Sequence, residues 1–137
     1  VINDGSSNSS TTTISRITVT AVNDAPTITA NATTPTFTEG GGAIPVNGAF
    51  TLADVDTTNL SSATITISNV QTDDALSFSG SSTGFIVGDY NSSDGTITVS
   101  GAKTVAEYQT FLRTLQFNNS NENPSTSSRT MQLISMP

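Results

Sequence analysis

Four stretches of the chain alternate apolar and polar residues: ISRITVTAV at 14–22, SATITISNV at 62–70, GTITVS at 95–100 and TMQLIS at 130–135. Period two is the geometry of a strand whose successive side chains point to opposite faces, so each stretch has one face to bury and one to wet. That pattern predicts an all-β fold of antiparallel strands packed as a sandwich. In the first stretch Ile17, Val19 and Ala21 share one face, and Arg16, Thr18 and Thr20 the other. The segments between are NDGSSNSSTTT, DAPT, TEGGG, ADVDTTN, QTDDA, SSDG and NNSNENPSTSS, rich in residues that turn a backbone. Asp94-Gly95 ahead of TITVS is a hairpin signal.

One segment departs from the alternation. TVAEYQTFLRTLQF sets Val105, Tyr108, Leu112 and Leu115 at helical spacing. Thr104 can cap the first turn while Glu107 reaches back to the cap's amide, a reciprocal capping box. The expectation is a short helix over 104–113, laid across the end of the sandwich and followed by a strand at 114–118.

Composition narrows the function. With Arg16, Lys103, Arg113 and Arg129 as its cations against 11 acidic residues, the chain lacks a nucleic-acid footprint. No apolar run reaches the roughly 18–20 residues of a membrane span. Without His or Cys the usual base-activated nucleophiles are missing, and no enzyme activity is expected. Spacing alone does not exclude two of Asp73, Asp74 and Asp89 as the carboxylate pair of a glycosidase, although TDDA and GDYNSSDG read as loops. Lys103 reads as a solvated lysine rather than an isopeptide partner of Asn118 or Asn119. The Thr-x-Thr runs suggest a flat threonine face for ice or carbohydrate, but they read as scattered over different strands. A thiol-free surface of Thr, Ser, Asn and Gly suits a bacterial exterior, and the expected location is extracellular.

The expected organisation is a hairpin of a preceding repeat at 1–22, a linker at 23–27 where Pro26 leaves the ladder, and a sandwich repeat at 28–137. The strand in SSRTMQLISMP has no hairpin after it, while a hairpin of matching character stands at 1–22. The chain reads as one repeat period cut in another frame, its first hairpin folding back or passing to a neighbouring molecule as a hairpin-swapped homo-oligomer.

Taken in order, V-x-N-D-G at 1–5, ITVTAVNDAPT at 17–27, TEGGGA at 38–43, TLADVD at 51–56, LSSATITI at 60–67 and VSGAKTVAEYQTFLRTLQF at 99–117 resemble the cadherin-like tandem repeats of giant bacterial surface adhesins of the RTX-adhesin type. The resemblance implies an immunoglobulin/cadherin-like Greek-key β-sandwich with an inserted helix. It also implies calcium at domain junctions: Asn23 and Asp24 as linker ligands, Asp54 and Asp56 as the D-x-D pair, Asp4 as the last-hairpin aspartate, and Glu39 as the first-strand glutamate serving the far junction. The acidic residues that flank a late arginine in ordinary cadherin junctions have no match in FLRTLQ. Chemistry agrees with the resemblance at DVD, where alternate residues of an extended segment would aim two carboxylates at one cation while Val55 anchors in the core. The competing reading is that Asp24, Asp54 and Asp56 are turn formers. The implied function is a calcium-stabilised spacer, or extender, that rigidifies a secreted multidomain adhesin against neighbouring repeats for cell adhesion. The alternative is a glycan- or protein-binding module acting through its Ser/Asn-rich loops.

Overall fold

The computed structural model describes residues 5, 12, 14–30 and 34–137. Along them run β1 (Thr27–Thr29), β2 (Ile44–Pro45), β3 (Thr51–Ala53), β4 (Asn59–Ile67), β5 (Asp74–Phe78), β6 (Ile86–Val87), β7 (Thr96–Thr104), α1 (Val105–Leu112), β8 (Leu115–Asn119) and β9 (Met131–Met136). All ladders are antiparallel. They make a four-stranded sheet ordered β6-β7-β4-β9, a three-stranded sheet ordered β2-β8-β5, and the pair β1-β3. The all-β expectation therefore holds, with one short helix.

The alternation explains the core. Ala63, Ile65 and Ile67 of β4 and Ile97 and Val99 of β7 are buried, and the register sets Ala63 opposite Val99 and Ile65 opposite Ile97. The three-stranded sheet contributes Leu76, Leu115 and Phe117 to the same cluster. Each of the larger of these side chains contributes about 1.5–3 kcal/mol on burial. A register shift between Leu60 and Ser62 re-phases β4, so Leu60 is buried as well as Ala63. At the other end of the β4-β7 pairing, Gly95 sits at φ 70°, and a Cβ there would lie 2.9 Å from both the Ile67 carbonyl oxygen and Val70 Cβ. Only glycine fits this turn, as the Asp94-Gly95 signal anticipated.

Helix α1 lies within the expected 104–113. The Glu107 amide donates to Thr104 Oγ1 at 3.1 Å and the Thr104 amide to Glu107 Oε2 at 2.9 Å, closing the capping box. Tyr108, Phe111 and Leu112 are buried, and the Tyr108 hydroxyl donates to the Gly101 carbonyl at 2.7 Å. Phe85 packs edge-on to Tyr108 and stacks on Phe111, which stacks in turn on Phe78. The helix also grips the segment around β3: the Leu52 amide donates to Gln109 Oε1 at 2.8 Å, and Arg113 Nε donates to the Phe50 carbonyl at 2.9 Å.

Two sequence expectations are corrected. Residues 14–22, which alternate as a strand should, form no strand; Ile14, Ile17, Val19 and Val22 are 98%, 84%, 88% and 77% exposed. Alternation prepares a face for burial but supplies no partner, and among the described residues none pairs with this stretch. Asp74, expected in a loop, is the first residue of β5 and is 2% exposed. Arg129 holds it from two sides, Nε to Oδ2 and Nη2 to Oδ1, each at 2.8 Å. Asn119 Nδ2 donates to Oδ1 and the Gln71 amide to Oδ2, also at 2.8 Å. Burial pushes the Asp74 carboxyl up, but the hydrogen bonds from Arg129, Asn119 and Gln71 outweigh it and leave the group below its ordinary range.

Removing one partner of a shielded ion pair strands the other, so Arg129→Met is expected to cost about 3–5 kcal/mol in urea unfolding at pH 7. Because the folded-state pKa of Asp74 is depressed, its contribution is fully present above the unfolded value of about 3.9 and is lost as pH falls through the lower folded value. The destabilisation by Arg129→Met should shrink as pH is lowered below about 4; a pH-independent difference would contradict this account.

Candidate ion site before β4

The loop before β4 is built on Asp54. Its Oδ1 accepts the amides of Asp56 at 3.1 Å and Thr57 at 3.0 Å, an Asx turn that folds residues 54–57 back on themselves. The loop is anchored at its far side, where the Thr58 carbonyl accepts the Val105 amide at 2.9 Å and so abuts the helix start. Asp56 Oδ2 accepts the amide of Asp24, 32 residues earlier, at 2.8 Å. Asn23 Nδ2 donates to the Asp24 carbonyl at 3.0 Å, and three residues on Thr27 enters its ladder opposite Ala53. Residues 23–24 and the DVD loop, far apart in sequence, thus meet through Asn23, Asp24, Asp54 and Asp56.

Two details differ from the sequence reading. Val55 is 85% exposed and anchors nothing, because the Asx turn rather than an extended strand positions the two aspartates. The turn-former role of Asp54 is therefore real, and it occupies only one of the two carboxylate oxygens. Oδ2 of Asp54 is shielded from solvent and has no hydrogen-bond partner. Burial pushes this carboxyl up, but the hydrogen bonds from the amides of Asp56 and Thr57 prevail and hold it below its ordinary range.

The site gathers negative charge without a cationic side chain. The ion pairs found among the described residues are Lys103 with Glu107 and Arg129 with Asp74, neither of them here. A shielded carboxylate oxygen without a donor suits a hard cation such as calcium, which takes six to eight oxygens from carboxylates, amides and backbone carbonyls. Among the described residues no three of His, Cys, Asp and Glu converge tightly enough to hold a metal, so Asp54 and Asp56 would need carbonyl or Asn23 oxygens beside them. Asp4 lies outside the described residues. Glu39 stands elsewhere, beside a cleft of about 260 Å³ lined by Gly40, Gly42 and residues 118–122. That cleft is at the opposite end of the sandwich: Asn119 pairs with Asp74 beyond the far end of β4, whereas Asp54 precedes its start.

The other candidate chemistries resolve differently. Asp74 is committed to Arg129, and Asp73, at φ 65°, accepts from Asn121 Nδ2 at 3.1 Å. Lys103 lies 3.5 Å from Glu107 and over the Phe85 ring, whereas Asn119 donates to the Thr72 carbonyl and to Asp74 at the opposite end, so the two do not form an isopeptide pair. The threonines are less scattered than the sequence suggested. Two of the three TIT runs stand side by side, Thr64 opposite Thr98 and Thr66 opposite Thr96, with the hydroxyls of Thr64 and Thr98 at 3.0 Å. No helix among the described residues is long and apolar enough to cross a membrane. Comparison of the chain with protein-family models, curated proteins and solved structures finds no match.

Asp54→Asn keeps the Oδ1 acceptor of the turn and removes one of two adjacent negative charges. In EDTA this variant is expected to melt no lower than the wild type, whereas Asp54→Ala, which deletes the turn acceptor, melts lower. Thermal unfolding followed by circular dichroism distinguishes them, and equal losses in both variants would refute this description of the loop.

Proposed function

We propose that the chain is a calcium-stabilised spacer repeat of a long secreted bacterial adhesin, a cadherin-like Greek-key module with no reaction of its own. The observation that carries this reading is the linker amide of Asp24 seated on Asp56 beside the shielded, partnerless Oδ2 of Asp54. Calcium, when bound, supplies the positive charge that these carboxylates lack. Asp54 and Asp56 hold it from the loop, an oxygen of Asn23 or a backbone carbonyl of residues 23–24 joins them, and Asp4 is the further ligand that the sequence pattern assigns. Glu39 serves a second junction at the opposite end. Asp56 has a double part, since the carboxylate that faces the ion also fixes where the linker enters. Restraining the linker at this point converts a freely jointed string of repeats into an extended rod.

The test is thermal unfolding in EDTA and in millimolar calcium. A ligand at a hundredfold its dissociation constant stabilises the folded state by about 2.7 kcal/mol, which for a domain of this size is a rise of several degrees in Tm. Wild type is expected to show that rise and the double variant Asp54→Ala, Asp56→Ala to lose it. Superimposable wild-type curves with and without calcium would remove the basis for the proposal.

A further inference from the structure

One sheet edge and one unpartnered segment complement each other. Among the described residues β9 pairs with β4 alone, leaving its other edge open. Its inward-facing Met131 and Leu133 are only partly buried against the core, and Ser135 Oγ is shielded without a partner. Its outward-facing Ile134 and Met136 are 64% and 55% exposed. Residues 14–22 have the period of a strand and nearly full exposure, with Ile17, Val19 and Ala21 on one face ready to extend the layer that Met131 and Leu133 begin.

We propose that residues 14–22 of one copy add as an antiparallel strand to the open edge of β9 in a second copy, and that the exchange is reciprocal. Antiparallel addition is how every ladder of this fold is made, and an unpaired edge is a template for it.

The geometry decides against the same chain supplying this strand. Asp24 is fixed to Asp56, just before β4 begins, and the end of β9 is there too, with Ser61 Oγ donating to the Pro137 carbonyl at 3.0 Å. An antiparallel strand on β9 would finish beside Met131, at the other end of a six-residue strand, a distance of about 20 Å. Val22 is two residues from Asp24, and two residues reach at most about 7 Å. A segment folding back within its own chain would have to run parallel to β9. A second copy has no such tether to satisfy, and a two-fold arrangement lets each molecule complete the other and closes the assembly at two. The proposal does not depend on calcium.

The experiment is analytical ultracentrifugation of the wild-type chain and of the double variant Ile17→Lys, Val19→Lys, together with cross-linking. Both substituted residues are exposed in the single chain, so melting of the dilute monomer should be unchanged. Wild type is expected to form a concentration-dependent dimer, and the variant to weaken it at least tenfold. Because the protein has no cysteine, a Thr18→Cys chain can be mixed with an Ile134→Cys chain and treated with a short bismaleimide; cross-links between different chains are expected. A wild-type chain that stays monomeric at millimolar concentration would overturn the proposal. So would a dimer equally strong in the double variant, or a doubly substituted chain that cross-links only within itself.

Discussion

The inward face of β4 is the constraint on which the remaining structure hangs. It is paired along most of its length on both sides, with β7 and β9, and its Ala63, Ile65 and Ile67 form the floor onto which the second sheet packs. Side chains at two-residue spacing can meet that floor only if β4 keeps its phase, and the shift between Leu60 and Ser62 adjusts that phase where the strand reaches the helix end. The loop carrying Asp54 and Asp56 leads directly into this strand, so the position of the candidate ion site is inherited from the best-buried element of the fold. The segment at Asp24 meets a well-buried element there.

How much of this was legible in the sequence depends on whether the signal was local. The helix could be read because both its cap and its buried stripe lie within a dozen residues, and Thr104 and Glu107 carry their partnership on their face. Strands β4, β7 and β9 could be read for the same reason. The fate of the alternating stretch at 14–22 could not be judged, because pairing is a property of two segments and only one was in view. Asp74 and Arg129 are 55 residues apart, and nothing in TDDA distinguishes a solvated turn from an aspartate that begins a buried strand. At the candidate site the residue types were legible and the geometry was not. Asp54 and Asp56 were expected to point together from an extended chain, and an Asx turn brings them together instead.

The two ends of the sandwich are organised on different principles. At the far end charge is neutralised internally, with Asp74 enclosed by a guanidinium, an amide and a backbone N–H. At the end that carries Asp54 and Asp56 the carboxylates are left without a cationic side chain, and their hydrogen bonds go to amides. An isolated shielded carboxylate costs free energy unless something positive answers it. The first arrangement suits a permanent structural element, and the second suits a site whose state follows the surrounding ions.

The grip of α1 on the β3 region has a mechanical consequence. Tension applied to the chain ahead of Asp24 reaches β1, which is held to β3 by three residue pairs. Whatever load β3 receives passes, through Gln109 at Leu52 and Arg113 at Phe50, into a helix whose aromatic side chains are wedged in the core. The helix that interrupts this β architecture thus serves as a bracket, spreading a pull on one short ladder over the whole body of the domain.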